Sequence, residues 1–285
     1  MEIGYHIARF NWTSERSEIG HILKEIASIS EESGVGWLTL MDHYFQMERI
    51  APPTDPMLEG YVGLSYLAAS TSKLKLGLLV TGVTYRHPGL LAKIVSSLDV
   101  LSGGRAFLGI GAAWYEKEHL GLGVDFPPIK DRFEMLEETI QICLQMFSDN
   151  DSKFEGKHYS LAETICNPKP IQVPHPPILI GGSGERKTLS LVARYGDACN
   201  LFGADTATLK HKLDVLKNHC ETFNRDYDAI EKTMLYFPNP LDDTKTFFET
   251  MSVYESLGIS KIALMPVGDP VAYATRMGEE ILPKF

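Results

Sequence analysis

The chain has 285 residues, of which 44% are hydrophobic, so it can bury a large core as one barrel or as two smaller domains. Its formal net charge of -10 argues against a surface that gathers nucleic acid, because phosphate backbones are held mainly by lysine and arginine. A small molecule is therefore the expected partner.

The N-terminus and the cysteines indicate a cytoplasmic protein. The first residues, MEIGYHIARFNWTSERSE, lack the basic start and the apolar stretch of a signal peptide, and no later run is long enough to span a membrane. Cys143, Cys166, Cys199 and Cys220 show no CxxC pair and no metal-ligand spacing. They are expected to be free, buried thiols of a reducing compartment.

Short β-rich runs recur along the chain, and helical patterns separate them. Eight runs are predicted as strands: IGYHIA from Ile3, WLTLMD from Trp37, LKLGLLVT from Leu74, RAFLGIG from Arg105, PILIGG from Pro177, DACNLF from Asp197, KTMLYF from Lys232 and KIALMP from Lys261. Strands that alternate with helices in this number close a (β/α)8 barrel. We predict an α/β fold, a parallel TIM barrel in a single domain over residues 1–285.

Two helices and one insertion are predicted with defined limits. The first helix is expected to have Ser14 as its N-cap and to stop at Gly34, with one apolar face formed by Ile19, Ile22, Leu23, Ile26 and Ile29. A second helix is predicted to open at Asp131, with Phe133, Leu136, Ile140 and Leu144 facing inward. The segment from Asp149 to Pro176 is predicted as an insertion between strands four and five, with a small hairpin at KFEGKHYSL.

A doubly wound open sheet is the competing architecture. It would need a dinucleotide fingerprint, but LGIGAAW supplies only G-x-G after a strand. Trp114 stands where the third glycine belongs, and no acidic residue follows a second strand at the expected distance. The pattern therefore favours the barrel.

The stretch ILIGGSGERK suggests a phosphate site. Gly181, Gly182 and Ser183 follow an apolar strand and lead into a helix, so backbone N–H groups can converge on an anion. Arg186 could add a bidentate contact, provided that Glu185 points outward. The alternative is a strand-to-helix turn that needs glycine for its geometry alone.

Other candidate side chains also follow the predicted strands, where barrel enzymes carry their chemistry. His43 could move a proton, or it could be a histidine satisfied by its neighbour Asp42. Trp114 and Tyr115 are predicted either to wall a cofactor pocket or to pack at the rim, and Glu118 is predicted as a buried ion-pair partner. No HExxH, no nucleophile elbow and no ligand spacing is present, so no metal is predicted.

Several motifs occur in a fixed order: LGLLVTGVTYRHPGLLAKIVSSLDVLSGGRAFLGIGAAWYEKEHLGLGVDFPP, then FEGKHYSL, NPKP and HPPILIGGSGERKTLSLVARYGDACN. They resemble the luciferase-like monooxygenase superfamily, especially its branch that depends on the deazaflavin coenzyme F420. The likeness runs from about Trp37 to Phe202 and is weak beyond. It implies a (β/α)8 barrel, usually a homodimer, that holds F420 or, in sister branches, FMN.

The resemblance also implies roles for particular residues. It places a non-prolyl cis peptide at Leu79-Val80 behind the cofactor ring, and Asp42 and His43 beside the reacting carbon as catalytic residues. The expected cofactor-binding residues are Leu79, Val80, Thr81, Gly111, Trp114, Gly181, Gly182, Ser183 and Arg186. Met47 and Trp114 replace a tryptophan and a glutamate of the glucose 6-phosphate branch, which argues against a sugar-phosphate substrate.

The predicted function is an F420-dependent oxidoreductase that transfers a hydride between the deazaflavin and a small organic substrate, with a proton relay through His43. The first alternative is an FMN-dependent monooxygenase of the same family, supplied by a flavin reductase. A third hypothesis is a non-catalytic flavin-binding barrel, in which replacement of His43 would leave turnover unchanged.

Overall fold

The computed structural model describes residues 1–203 and 205–285. Its strands are β1 (Glu2–Ile7), β2 (Trp37–Leu40), β3 (Lys75–Leu78), β4 (Thr81–Gly82), β5 (Leu108–Gly111), β6 (Phe154–Glu155), β7 (Ser160–Leu161), β8 (Ile178–Gly181), β9 (Ala198–Phe202), β10 (Glu231–Tyr236) and β11 (Lys261–Leu264). All but β6 and β7 form one parallel sheet in the order β3-β2-β1-β11-β10-β9-β8-β5-β4. Each of the eight predicted strands is present, the third as β3 and β4 together.

The two ends of this sheet meet, which closes the barrel. Leu76 of β3 donates its N–H to Arg105 O at 2.9 Å, and Phe107 donates its N–H to Leu76 O at 3.0 Å. Beyond this bridge the third strand breaks and continues as β4, which pairs with β5. The predicted (β/α)8 barrel is confirmed, and its only interruption within the described sheet lies in the third strand.

The helices are α1 (Ile19–Glu32), α2 (Gly60–Ser70), α3 (Pro88–Ser102), α4 (Glu116–Leu122), α5 (Ile129–Phe147), α6 (Thr188–Tyr195), α7 (Thr206–Phe223), α8 (Thr244–Ser256) and α9 (Pro270–Glu280). The apolar face of α1 packs inward as predicted, and the chain turns at Gly34 with a φ of 89°. The prediction of Ser14 as N-cap is wrong, because a 3-10 turn at Arg16–Glu18 precedes α1 and Glu18 occupies the cap position. Helix α5 opens two residues before Asp131, after Pro128.

The insertion between the fourth and fifth barrel strands contains the predicted hairpin. Strands β6 and β7 pair antiparallel, with Phe154 opposite Leu161. The hairpin is fastened to α5 by Glu138, whose carboxylate accepts the N–H groups of Lys157, His158 and Tyr159 at 2.7 to 3.0 Å. A single, partly exposed glutamate of a neighbouring helix therefore holds the hairpin tip in place.

The interior of the barrel is a packed core. Its buried apolar side chains are Trp37, Phe107, Leu179, Ala198, Leu235 and Ala263, with Leu79, Val80 and Met265 packed against them. Gly109 on β5 is needed here, because a Cβ at that position would lie 1.9 Å from the carbonyl oxygen of Leu78. The missing side chain lets the end of β3 approach β5 closely before the strand breaks.

The four cysteines are free and buried, as predicted. Among residues 1–203 and 205–285, no helix combines the length and the apolar character that crossing a membrane requires.

The close approach at Gly109 predicts a large effect of one methyl group. Gly109→Ala should lower the free energy of unfolding by about 3 kcal/mol, because backbone cannot yield as a flexible side chain can. Gly20→Ala in α1 is the matched control, since its Cβ would meet only Tyr66 at 3.6 Å. Urea denaturation of both variants measures the difference, and equal stabilities would contradict the packing described here.

Candidate active site

The third barrel strand is interrupted by a cis peptide bond at Leu79-Val80, where the resemblance placed it. The Val80 side chain lies between two glycines at the carboxyl-terminal end of the barrel, which we call its mouth. A Cβ on Gly181 would lie 2.8 Å from Val80 Cγ1, and a Cβ on Gly111 would lie 2.9 Å from Val80 Cγ2. The interrupted strand and the glycine turn after β8 therefore meet at the carboxyl-terminal end of the barrel.

The glycine turn keeps unused hydrogen-bond donors. Gly182 adopts a φ of 120° and donates its N–H to Asn200 O at 3.1 Å, so this group is already engaged. The N–H groups of residues 183–186 have no acceptor within the described chain. Ser183 and the exposed Arg186 side chain also lack a hydrogen-bonding partner there. The turn can thus offer several N–H donors and one guanidinium to an anion.

Glu185 is turned away from this turn, as a phosphate site requires. Its carboxylate pairs with Lys212 and with His211, both on α7, the latter at 3.2 Å. Hydrogen bonding to Lys212 is the main reason that the pKa of Glu185 is lowered. The negative charge therefore stays on the helical layer outside the barrel.

His43 stands at the end of β2 and is held by Glu118. Its Nδ1 lies 2.6 Å from Glu118 Oε1, and its side chain is 13% exposed. The rings of Trp114 and Tyr115 contact the imidazole edge-on, with centroids at 5.5 and 5.8 Å. The Nε2 atom has no partner among the described residues and is not a buried orphan, so it remains accessible.

Glu118 on α4 is fully buried and accepts four hydrogen bonds. Besides His43, the donors are Tyr85 Oη, Tyr44 N at 2.8 Å and Phe45 N at 3.1 Å. Burial opposes the charge, but the donors, His43 first, outweigh it and lower the pKa of the Glu118 carboxyl. Because an ionised carboxylate only accepts, Nδ1 of His43 carries the hydrogen and Nε2 is left for chemistry.

Asp42 does not bind His43, which corrects the interpretation of a histidine satisfied by its neighbour. Its oxygens form a bidentate pair with Arg86 at 2.8 and 2.9 Å and accept Gly82 N at 2.9 Å. Burial raises the pKa of Asp42, while Arg86 and the Gly82 N–H oppose that rise. Asp42 thereby fixes the segment that follows the interrupted strand.

That segment carries Tyr85, which connects Asp42 to the histidine indirectly. The Tyr85 ring stacks on His119 with centroids at 4.5 Å while its hydroxyl reaches Glu118. Thr81 is fully buried, and its Oγ1 lies 2.8 Å from Tyr61 Oη. Its hydroxyl is therefore engaged within the protein.

His6 was not predicted as a site residue, yet it lies in the same interior. Thr39 donates its hydroxyl to Tyr5 O at 3.3 Å and therefore accepts from His6 Nδ1 at 2.8 Å. Burial, followed by the nearby His43, lowers the pKa of His6 to about 3. The ring stays neutral near neutral pH. Its inward position on β1 was visible in the strand alternation, which is the signal that could have identified it.

Two other features lie apart from this site. A cavity of about 320 Å³ opens at the amino-terminal end of the barrel, with Trp37, Phe107 and Leu179 in its wall. Asp131, Glu134 and His158 bring ligand atoms within 4.8 Å of one another, but Glu134 already pairs with Lys157 at 2.6 Å. This cluster is explained by the attachment of the hairpin to α5.

A sequence profile described as luciferase-like monooxygenase matches residues 1–245. The chain belongs to this family. The interrupted third strand, the His43 position and the glycine turn all lie within the matched residues.

The chain is also similar to named proteins that depend on different cofactors. An F420-dependent glucose-6-phosphate dehydrogenase from Kineococcus radiotolerans is 27% identical over 91% of this chain and 75% of the relative. An FMNH2-dependent dimethylsulfone monooxygenase from Pseudomonas putida is 27% identical over 53% of this chain and 41% of its own. The solved structure of an F420-dependent secondary alcohol dehydrogenase superposes with a TM-score of 0.81 at 16% identity, over 98% of both chains. That likeness shows the barrel fold.

The buried neutral state of His6 predicts a dependence of stability on pH. A histidine with a lowered folded pKa takes up a proton on unfolding, so its contribution is complete above pH 6.5 and is lost as pH falls toward 3. Between pH 6.5 and 4.5 the free energy of unfolding should fall by about 1 kcal/mol per pH unit more than in His6→Gln. His21→Gln, at an exposed position, should keep the slope of the unchanged protein in urea titrations. A slope unaffected by His6→Gln would contradict this account.

Proposed function

We propose that the protein is an oxidoreductase that binds coenzyme F420 and exchanges a hydride with a small organic substrate beside His43. The observation that carries this proposal is the arrangement of His43 itself, whose Nδ1 is locked by a buried carboxylate while Nε2 stays accessible. The relatives that depend on F420 and cover most of this chain support the choice of cofactor.

The residues at the mouth fit a flat, phosphorylated cofactor. Val80 would support the back of the ring, and Gly111 and Gly181 leave the space that its side chain needs. The free N–H groups of residues 183–186 and the Arg186 guanidinium would hold the phosphate. Trp114, which is 51% exposed, would form one wall. When bound, F420 accepts or donates a hydride at its ring.

His43 would manage the proton that accompanies the hydride. In an oxidation, neutral Nε2 accepts the proton of the substrate hydroxyl, and the buried Glu118 carboxylate stabilises the resulting imidazolium. In a reduction, the protonated Nε2 returns a proton to the substrate oxygen or nitrogen. Glu118 acts through the histidine and is therefore a positioning residue. Asp42 holds the adjoining loop.

A flavin-dependent monooxygenase is the second candidate, favoured by the FMNH2-dependent relative and by the same phosphate turn. It would require a flavin reductase as partner. Titration of the purified protein with F420 and with FMN, followed by absorbance and calorimetry, distinguishes the two. Binding of F420 without FMN supports our proposal, whereas retention of FMN alone reverses the order of the candidates.

Replacing the proton-handling residues should separate chemistry from binding. His43→Gln should leave the dissociation constant of the cofactor within about twofold and lower turnover by 10²-fold or more, the range of general acid–base catalysis. Glu118→Gln should lower turnover and shift the pH profile, while Glu118→Asp should recover part of the rate. Rapid-mixing measurements of cofactor oxidation or reduction test this. Unchanged turnover in His43→Gln would contradict the proton transfer by His43, and absence of turnover in the unchanged protein would favour a non-catalytic binding barrel.

Two further features belong to the proposal. A homodimer is supported by exposed apolar side chains on two helices that pack together: Val62 and Tyr66 of α2 are 69% and 40% exposed, and Leu90 of α3 is 65% exposed. Light scattering of the purified protein should give twice the chain mass.

A cytoplasmic location is supported by the four unpaired thiols, which suit a reducing compartment.

A further inference from the structure

One side of the barrel mouth is lined by exposed apolar side chains on three neighbouring strands. Phe202 ends β9, Phe237 follows β10 and Val267 follows β11, and they are 50%, 53% and 45% exposed. With Met265 they form a surface that we name the apolar arc. Large apolar side chains that are exposed together mark a binding surface more often than isolated ones do.

Strand alternation shows which way the arc faces. On β9, Ala198 packs in the barrel interior while Cys199 packs on the helical layer, so Phe202 lies at an inward position. On β10, Leu235 is interior and is paired in register with Phe202, and Phe237 is the next inward position. Both phenylalanines continue the interior face above the packed core, where the barrel is open.

The arc is continuous with the candidate active site. Met265 packs against the interior cluster that includes Val80, and it also packs against the cluster of Met41, Met47 and Tyr115 beside His43. An apolar surface thus runs from the interrupted third strand to the far side of the mouth. A ligand seated beside His43 would extend onto it.

The loops that carry the arc disfavour an anion. Residues 203–205, 237–243 and 265–269 contain no lysine or arginine. They do contain Asp205, Asp243 and Asp269, whose carboxylates cap α7, α8 and α9 by accepting backbone N–H groups at 2.9 to 3.0 Å. A phosphate or carboxylate placed here would meet the negative charge of these aspartates, and these three loops offer it no lysine or arginine. On the His43 side of the mouth, the guanidinium carbon of Arg49 lies 5.2 Å from the centroid of the Trp114 ring.

We propose that the substrate is an uncharged, mainly apolar molecule whose hydroxyl or carbonyl oxygen lies at His43 while its aliphatic or aromatic body lies on the apolar arc. This proposal rests on the proposed function and narrows its substrate class. It excludes sugar phosphates, although a relative at 27% identity is a glucose-6-phosphate dehydrogenase.

The test measures binding in the cofactor-loaded protein. Calorimetry with 2-butanol, 2-hexanol and 2-octanol should show affinity rising roughly two- to fourfold per added methylene, as expected for burial of apolar surface. The matched acid 7-hydroxyoctanoate and glucose 6-phosphate should bind at least tenfold more weakly than 2-octanol. F420 binding is measured first. If only FMN binds, the same series on the FMN-loaded protein tests the arc while the cofactor proposal fails.

Variants connect the binding to the arc. Phe237→Gln should flatten the dependence on chain length, and Phe237→Leu should preserve most of it, so a folding defect is recognised by comparison of the two. Phe223→Gln is the control, because Phe223 is 41% exposed on α7 away from the mouth. Affinity that ignores chain length, or a dependence unchanged in Phe237→Gln, would overturn the proposal. So would tighter binding of the two anions that is lost in Arg49→Met.

Discussion

The buried carboxylate of Glu118 is the constraint on which the site depends. It accepts hydrogen bonds from His43 and two backbone N–H groups in the loop after β2. It also accepts one from Tyr85, in the loop after the third barrel strand. A fully buried charge is tolerated only when its hydrogen-bonding capacity is filled, so these partners cannot move independently. Glu118 therefore couples the tautomer of His43, the paths of the two loops and the position of α4 to one another.

A second set of contacts, between Val80 and two glycines, determines the shape of the other half of the mouth. Val80 occupies the space that Cβ atoms on Gly111 and Gly181 would take, so the fourth and fifth barrel strands are shaped to the third. The bidentate pair of Asp42 and Arg86 joins the two halves, because it attaches the end of β2 to the segment that carries Tyr85. Geometry at the histidine thus reflects packing several residues away.

Local pattern was enough to predict the eight strands, the hairpin and the approximate helices, because alternation and turn chemistry are properties of neighbouring residues. The pairing of His43 with Glu118 was not predictable in this way, since 75 positions separate them and only the docking of α4 brings them together. Adjacency in the sequence instead suggested Asp42 as the partner of His43. The Asp42 carboxylate pairs with the guanidinium of Arg86. The N-cap at Ser14 failed for a related reason, because a 3-10 turn of three residues is too short to leave a periodic signal.

The β6–β7 hairpin is attached by bonds that are separate from those of the site. Glu138 gathers the three N–H groups of its tip from a helix outside the barrel, and no barrel strand shares in that bond. The apolar side chains of the hairpin, Phe154, Tyr159 and Leu161, also pack against the core, so the hairpin is held by both bonds and packing. None of these bonds involves Glu118, His43 or Tyr85, so a change in the hairpin would leave the hydrogen bonds that orient the histidine in place.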